Sequence, residues 1–234
     1  NAKVIWRVKL PASAFTSPFV AGGRVFVLTA DRTVMAFDGA SGQRLWSQQR
    51  AGDPLVLKQA GVLTSFQDRL MVGLSGRLVA MNPANGVAVS ELTIGASRGT
   101  NEVERLVDLV SGASRLANVV CVRAFQVSVS CVDATRGTAV WSRPAQGHEG
   151  LDGDENLVFG VESDSKVLAW QRQGGQPSWT QEALRFRGLS APTVFGRSVV
   201  VGDDNGLLHF LSRQDGQVMQ RVSTDGSAIT GKPL

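Results

Sequence analysis

Apolar and polar residues alternate in short bursts along this chain, without the three-to-four spacing of an amphipathic helix. The clearest stretch runs from Ser17 to Trp46, SPFVAGGRVFVLTADRTVMAFDGASGQRLW. It predicts a strand ending at a Gly22-Gly23 turn, a strand over Arg24–Leu28, a polar turn at Asp31-Arg32, a strand over Val34–Phe37, a turn over Asp38–Gly42, and a strand through Trp46. Four short strands joined by glycine-marked turns make one antiparallel sheet.

The second half of that unit recurs: GRLVAMNPANGVAVS from Gly76, VSVSCVDATRGTAVW from Val127, KVLAWQRQGGQPSW from Lys166 and GLLHFLSRQDGQVMQ from Gly206. The turn glycines Gly42, Gly86, Gly137, Gly175 and Gly216 are spaced by 44, 51, 38 and 41 residues, the period of propeller blades. Four residues after each stands Trp46, Ser90, Trp141, Trp179 or Gln220, and Trp6 reads as the end of a preceding unit. A ring at this position fills the wedge between radially packed sheets, which widens outward. Stacking on a quinone or a sugar is the functional alternative. The glycines fit tight turns that need positive φ.

The fold class expected is therefore all-β, a β-propeller of four-stranded antiparallel blades. The expected single domain, 1–234, has blades at roughly 11–50, 51–98, 102–146, 148–185 and 186–225, with partial blades at 1–10 and 226–234. Ser17-Pro18-Phe19-Val20 is echoed by Ala191-Pro192-Thr193-Val194, and Lys232-Pro233-Leu234 reads as the start of another copy. The polar stretches Gly95–Asn101 and Gln146–Asp154 read as inter-blade loops. Blades bury their faces on neighbours, so an interrupted row should leave an apolar sheet face open at each end.

Composition narrows the function. With 43% hydrophobic and 19% charged residues among 234, the chain is globular rather than disordered. It lacks an apolar run of the roughly 18 to 20 residues that a membrane helix needs, and Asn1–Trp6 lacks a signal-peptide layout, which predicts a soluble chain, mature or trimmed. A net charge of +4 invites a nucleic-acid reading, but Arg24, Arg32, Arg44, Arg69, Arg77, Arg136, Arg172 and Arg213 are dispersed among turns, so no nucleic-acid partner is expected.

Cys121 and Cys131 fall on two neighbouring predicted strands, Val119–Ala124 and Val127–Asp133. A two-residue turn would put them on opposite faces as unpaired core thiols, the favoured reading; a three-residue turn would reverse it. Asp152, Asp154 and Glu155 read as a solvated turn, because a calcium loop needs a longer ligand series. Asp203-Asp204-Asn205-Gly206 reads as a hairpin turn of type I′. His209, on a strand between Leu208 and Phe210, reads as a structural donor, and His148 is the remaining histidine. GxSxG and phosphate-loop patterns are missing, so no enzyme, metal or cofactor is expected.

The unit from Gly23 to Trp46 resembles the PQQ-like propeller repeat, and the whole chain is similar to the lipoproteins of the bacterial β-barrel assembly machinery. Glu102-Val103-Glu104-Arg105-Leu106-Val107-Asp108 resembles that family's E-I-D-R-L-x-D stretch. Asp53-Pro54-Leu55-Val56-Leu57-Lys58 resembles its P-S-L-S-L-R loop, and Val199–His209 its V-V-G-D-x-x-G-Y-L-H strand pair. The resemblance implies an eight-bladed ring of which this chain is a part, in a Gram-negative periplasmic protein tethered to the outer membrane by a lipid. It also implies a scaffold that binds the POTRA domains of BamA within the assembly complex and, by extension, unfolded barrel precursors.

Carried over by motif, the contacts would be Leu55, Leu57 and Lys58 on one loop and Arg105 and Asp108 on the next. Lys58 stands in place of an arginine, keeping charge without the planar fork, and Val110 stands where a second aspartate is common. On the residues alone, Leu55 and Leu57 read equally as an interface anchor or as blade core. Asp108, within an apolar run, needs a partner if buried, and Arg105 is the nearest candidate. Strand addition to an exposed edge on the partner is a further mode. The same repeat occurs in quinone-dependent dehydrogenases, so a quinone-binding propeller is the alternative function.

Overall fold

The computed structural model describes residues 3–51, 56–96 and 107–233. It contains five four-stranded sheets, each a simple antiparallel meander in chain order, and no helix among the described residues. The first is β1 (Phe19–Ala21), β2 (Arg24–Leu28), β3 (Thr33–Asp38) and β4 (Arg44–Gln49); the second is β5 (Leu63–Phe66), β6 (Arg69–Leu74), β7 (Arg77–Met81) and β8 (Ala88–Thr93). The third is β9 (Leu109–Leu116), β10 (Val119–Ala124), β11 (Ser128–Asp133) and β12 (Thr138–Pro144). The fourth is β13 (Leu151–Gly153), β14 (Leu157–Val161), β15 (Val167–Gln171) and β16 (Pro177–Gln181), and the fifth β17 (Thr193–Phe195), β18 (Ser198–Gly202), β19 (Leu207–Ser212) and β20 (Val218–Ser223). The chain forms two compact units, Asn1–Leu109 and Val110–Leu234.

The middle strands are apolar on both faces because both are covered. In the first unit Phe26, Leu28, Val34 and Ala36 pack with Leu70, Val72, Val79 and Met81 of the second blade, while Val27, Met35 and Phe37 point the other way. That second face is not open as the repeat count predicts: Leu10, from the segment ahead of β1, packs on it, and Ala30 N–H donates to Ser13 O at 2.7 Å. Within the second unit, Ile229 holds a comparable place beside the fifth blade, with its N–H on Asp203 O at 3.0 Å.

Tryptophan and glycine work as a pair. The Trp46 ring lies where a Cβ on Gly86 would stand, 2.6 Å from that position, and its Nε1–H donates to Pro83 O at 2.9 Å. Trp141 covers Gly175 in the same way and donates to Arg172 O at 2.7 Å. Trp6 and Trp179 repeat the arrangement on Gly42 and Gly216. Gly86 has φ 73° and Gly175 φ 68°, so each must be free of a side chain for its own backbone and for the ring above it. The rings are wedge fillers.

Each outer strand carries one bulge. Ala36 faces Trp46 while Phe37 faces Arg44, which leaves Leu45 without a partner. The same shift isolates Val89 on β8, Val140 on β12, Ser178 on β16 and Met219 on β20. These residues are exposed, and the broken ladder blunts five outer edges that would otherwise template pairing with another chain.

Two turn expectations are corrected. A three-residue loop, Phe125–Val127, joins β10 to β11, so Cys121 lies directly opposite Cys131 and the two form a disulfide. The odd loop keeps both side chains on one face, where the two-residue alternative would have separated them. The turn at Asp203–Gly206 is not type I′, because Gly206 has positive φ and Asn205 does not. Asp203 supplies the closure instead, its carboxylate accepting the N–H groups of Asn205 at 3.0 Å and Leu207 at 2.9 Å.

Candidate functional site

The connection from β4 to β5 and the segment leading into β9 meet in the first unit. Asp108 Oδ2 accepts the backbone N–H of Leu57 at 3.1 Å, across 51 positions of sequence. Two stretches read from sequence as separate loops are thus tied by one charge-assisted hydrogen bond. The partner of Asp108 is this backbone group; Arg105, the partner considered from sequence, and Leu55 lie outside the described residues. Val107 and Leu109 on either side are buried, and this alternation leaves Asp108 half-exposed toward Leu57. Val110 is also buried.

Leu57 is half-buried and Lys58 exposed, without an ion-pair partner among the described residues. Leu57 lines a cleft with Phe15, Thr29, Val56, Leu74 and Asp108. The free volume there is about 50 Å³. That admits a water or two, well short of the roughly 300 Å³ at which pockets begin to hold cofactor-sized molecules. Leu57 is thus not wholly blade core: it is half-buried and lines the cleft.

The fifth blade holds a buried ionic group that the sequence reading missed. Asp203 accepts from His209 Nε2 at 2.8 Å and from Arg187 at 2.7 Å, with the side chains of Asp203 and His209 fully buried. Burial alone would raise the Asp203 pKa; hydrogen bonds from His209, Leu207 N–H, Arg187 and Asn205 N–H outweigh it and bring it to about 2. His209 is the structural group expected, and Asp203 proves to be the hub of the turn. In blades three and four Arg123, fully buried, pairs with Glu162 at 3.0 Å. For Arg123 a hint was available in sequence: a charged residue inside an apolar strand pattern.

The turn carrying Asp152, Asp154 and Glu155 is solvated at Glu155, which is exposed, but not at Asp154. The Asp154 side chain is almost buried, caps the N–H groups of Asn156 and Leu157 at 2.8 Å each, and pairs with Arg213 at 3.0 Å. Asp152 accepts from Val194 N–H and Lys232 at 3.0 Å each. Among the described residues, groups of three or more His, Cys, Asp or Glu are not placed to hold a metal ion.

Blades of this repeat, with tryptophan on glycine between sheets, define the chain as a β-propeller of the PQQ-like class. The family described as outer membrane protein assembly factor BamB matches residues 1–181, and the chain belongs to that family. It is 35% identical to the BamB of Bordetella pertussis, over 100% of this chain and 61% of that protein, and 32% identical to the BamB of Burkholderia pseudomallei, over 100% and 62%. The chain spans about three fifths of the length of these curated relatives.

Among solved structures it is similar to BamB from Moraxella catarrhalis, with a TM-score of 0.89 at 24% identity over 96% of this chain and 68% of that one. A quinohemoprotein alcohol dehydrogenase from Comamonas testosteroni shares the fold at a TM-score of 0.68 and 15% identity, over 94% and 46%.

Proposed function

We propose that this chain is the protein-binding part of a non-enzymatic scaffold subunit of the outer-membrane assembly machinery. It acts at the periplasmic face of the outer membrane, in a protein that a lipid anchors there. Its partner is the POTRA region of BamA, gripped by the β4–β5 connection and the segment before β9. The observation that carries this reading is the Leu57–Asp108 hydrogen bond, which fixes one candidate contact loop against the other. A loop held before the partner arrives loses less conformational entropy on binding. Leu57 offers an apolar surface over a cleft too small for a cofactor, and exposed Lys58 adds a charge at its rim.

Family membership supports the same reading, since relatives named as assembly factors align along the full chain. Co-purification of the chain with the POTRA domains of its cognate BamA tests it. A stoichiometric complex is expected, and failure to form one at micromolar concentrations of both would overturn the proposal.

A further inference from the structure

A second cleft opens at the opposite ends of the strands in the first unit. The β4–β5 connection lies at one end of the meander; the β1–β2 and β5–β6 turns lie at the other, because each strand reverses the chain. Between those two turns Phe19, Ala21, Phe26 and Leu70 floor a cleft of about 190 Å³. Phe26 and Leu70 are buried, and the Phe19 ring stacks on Phe26 with centroids 6.3 Å apart. The floor is apolar.

Its rim is charged. Arg24 and Arg69 both line the cleft half-buried, and neither guanidinium has a hydrogen-bond or ion-pair partner among the described residues. Asp68, exposed beside them, is the third charged group lining it. Two cations against one anion favour a negative ligand. Each guanidinium, with five donors in a fixed plane, is suited to a carboxylate.

The volume sets the apolar part. It exceeds the roughly 150 Å³ that suffices for a benzene ring and falls short of the roughly 300 Å³ of cofactor pockets. One aromatic or branched side chain fits. The cleft is open along both turns, so a ring alone would bury little surface, and a chain continuing on either side can reach both arginines.

We propose that this cleft binds an extended segment of a partner protein in which one aromatic or branched apolar residue is flanked by carboxylates. The site is separate from the Leu57 loop and does not rest on the function proposed for it.

Fluorescence anisotropy of the full chain with a labelled Gly-Ser-Glu-Phe-Glu-Ser-Gly peptide tests the proposal, with the Lys-Phe-Lys counterpart as control. Saturable binding is expected, at least about tenfold tighter for the acidic peptide, and weakened about tenfold in the surface variant R24Q/R69Q. Ala21→Trp, which fills the cleft, should abolish it with circular dichroism unchanged. L57A/K58A should bind normally. Equal affinity for both peptides, undiminished binding by R24Q/R69Q, or N-acetylphenylalanine binding as tightly as the acidic peptide would each overturn the assignment.

Discussion

The Asp108 carboxylate takes its hydrogen bond from the backbone N–H of Leu57, so the position of the loop depends on a side chain from the approach to another blade. Replacing Asp108 with alanine leaves that N–H without its acceptor in a half-buried site. The expected cost is about 1 to 2 kcal/mol of local stability. Amide exchange at Leu57 should accelerate about tenfold or more while exchange at the β2 and β3 amides is unchanged, and equal exchange at Leu57 in variant and parent would contradict the account.

Gly86 and Gly137 separate two costs that usually travel together. Both have positive φ, 73° and 66°, but a Cβ on Gly86 would stand 2.6 Å from the Trp46 ring, whereas Gly137 has nothing within 4 Å. Gly137→Ala should lose about 1 kcal/mol by denaturant unfolding, from backbone strain alone. Gly86→Ala should lose about 2 to 4 kcal/mol, since the ring must also shift.

Acid stability carries the mark of Asp203. Its pKa falls from an ordinary 3.8 to about 2 in the folded protein, so the stabilisation is complete above pH 4 and is lost as pH drops from about 4 to 2. The span corresponds to about 2 kcal/mol. Denaturation curves at pH 5 and pH 2.5 should show a smaller acid loss for Asp203→Asn than for the parent, beginning from a lower stability at pH 5.

Cys121 and Cys131 are fully buried, so alkylation of the native protein should label neither. Closing so short a loop is worth about 2 to 3 kcal/mol by chain entropy. The C121A/C131A variant should unfold at correspondingly lower denaturant concentration, and reductant should narrow the gap.

Much of the fold can be read before any coordinates, because strand alternation and turn glycines are local signals. Arg24–Leu28 and Val119–Ala124 occur as strands over the residues expected, and the tryptophans fill space between sheets as expected, each on the turn glycine of the next unit rather than on the one four residues before it. What escaped is non-local or depends on a single residue of loop length. Phe125–Val127 sets the cysteine register by being three residues long rather than two. Asp108 and Leu57 meet across 51 positions without any periodic trace, and Asp203 looks like an ordinary turn residue until His209 and Arg187 are seen converging on it.

The central claim concerns the two tied loops as a protein-binding surface, and titration calorimetry with the POTRA domains of BamA addresses it most directly. Changing Leu55, Leu57 and Lys58 together to alanine should weaken binding at least about a hundredfold while the thermal unfolding midpoint stays within a few degrees of the parent. An affinity equal to the parent's, in a variant shown to be folded, would contradict it.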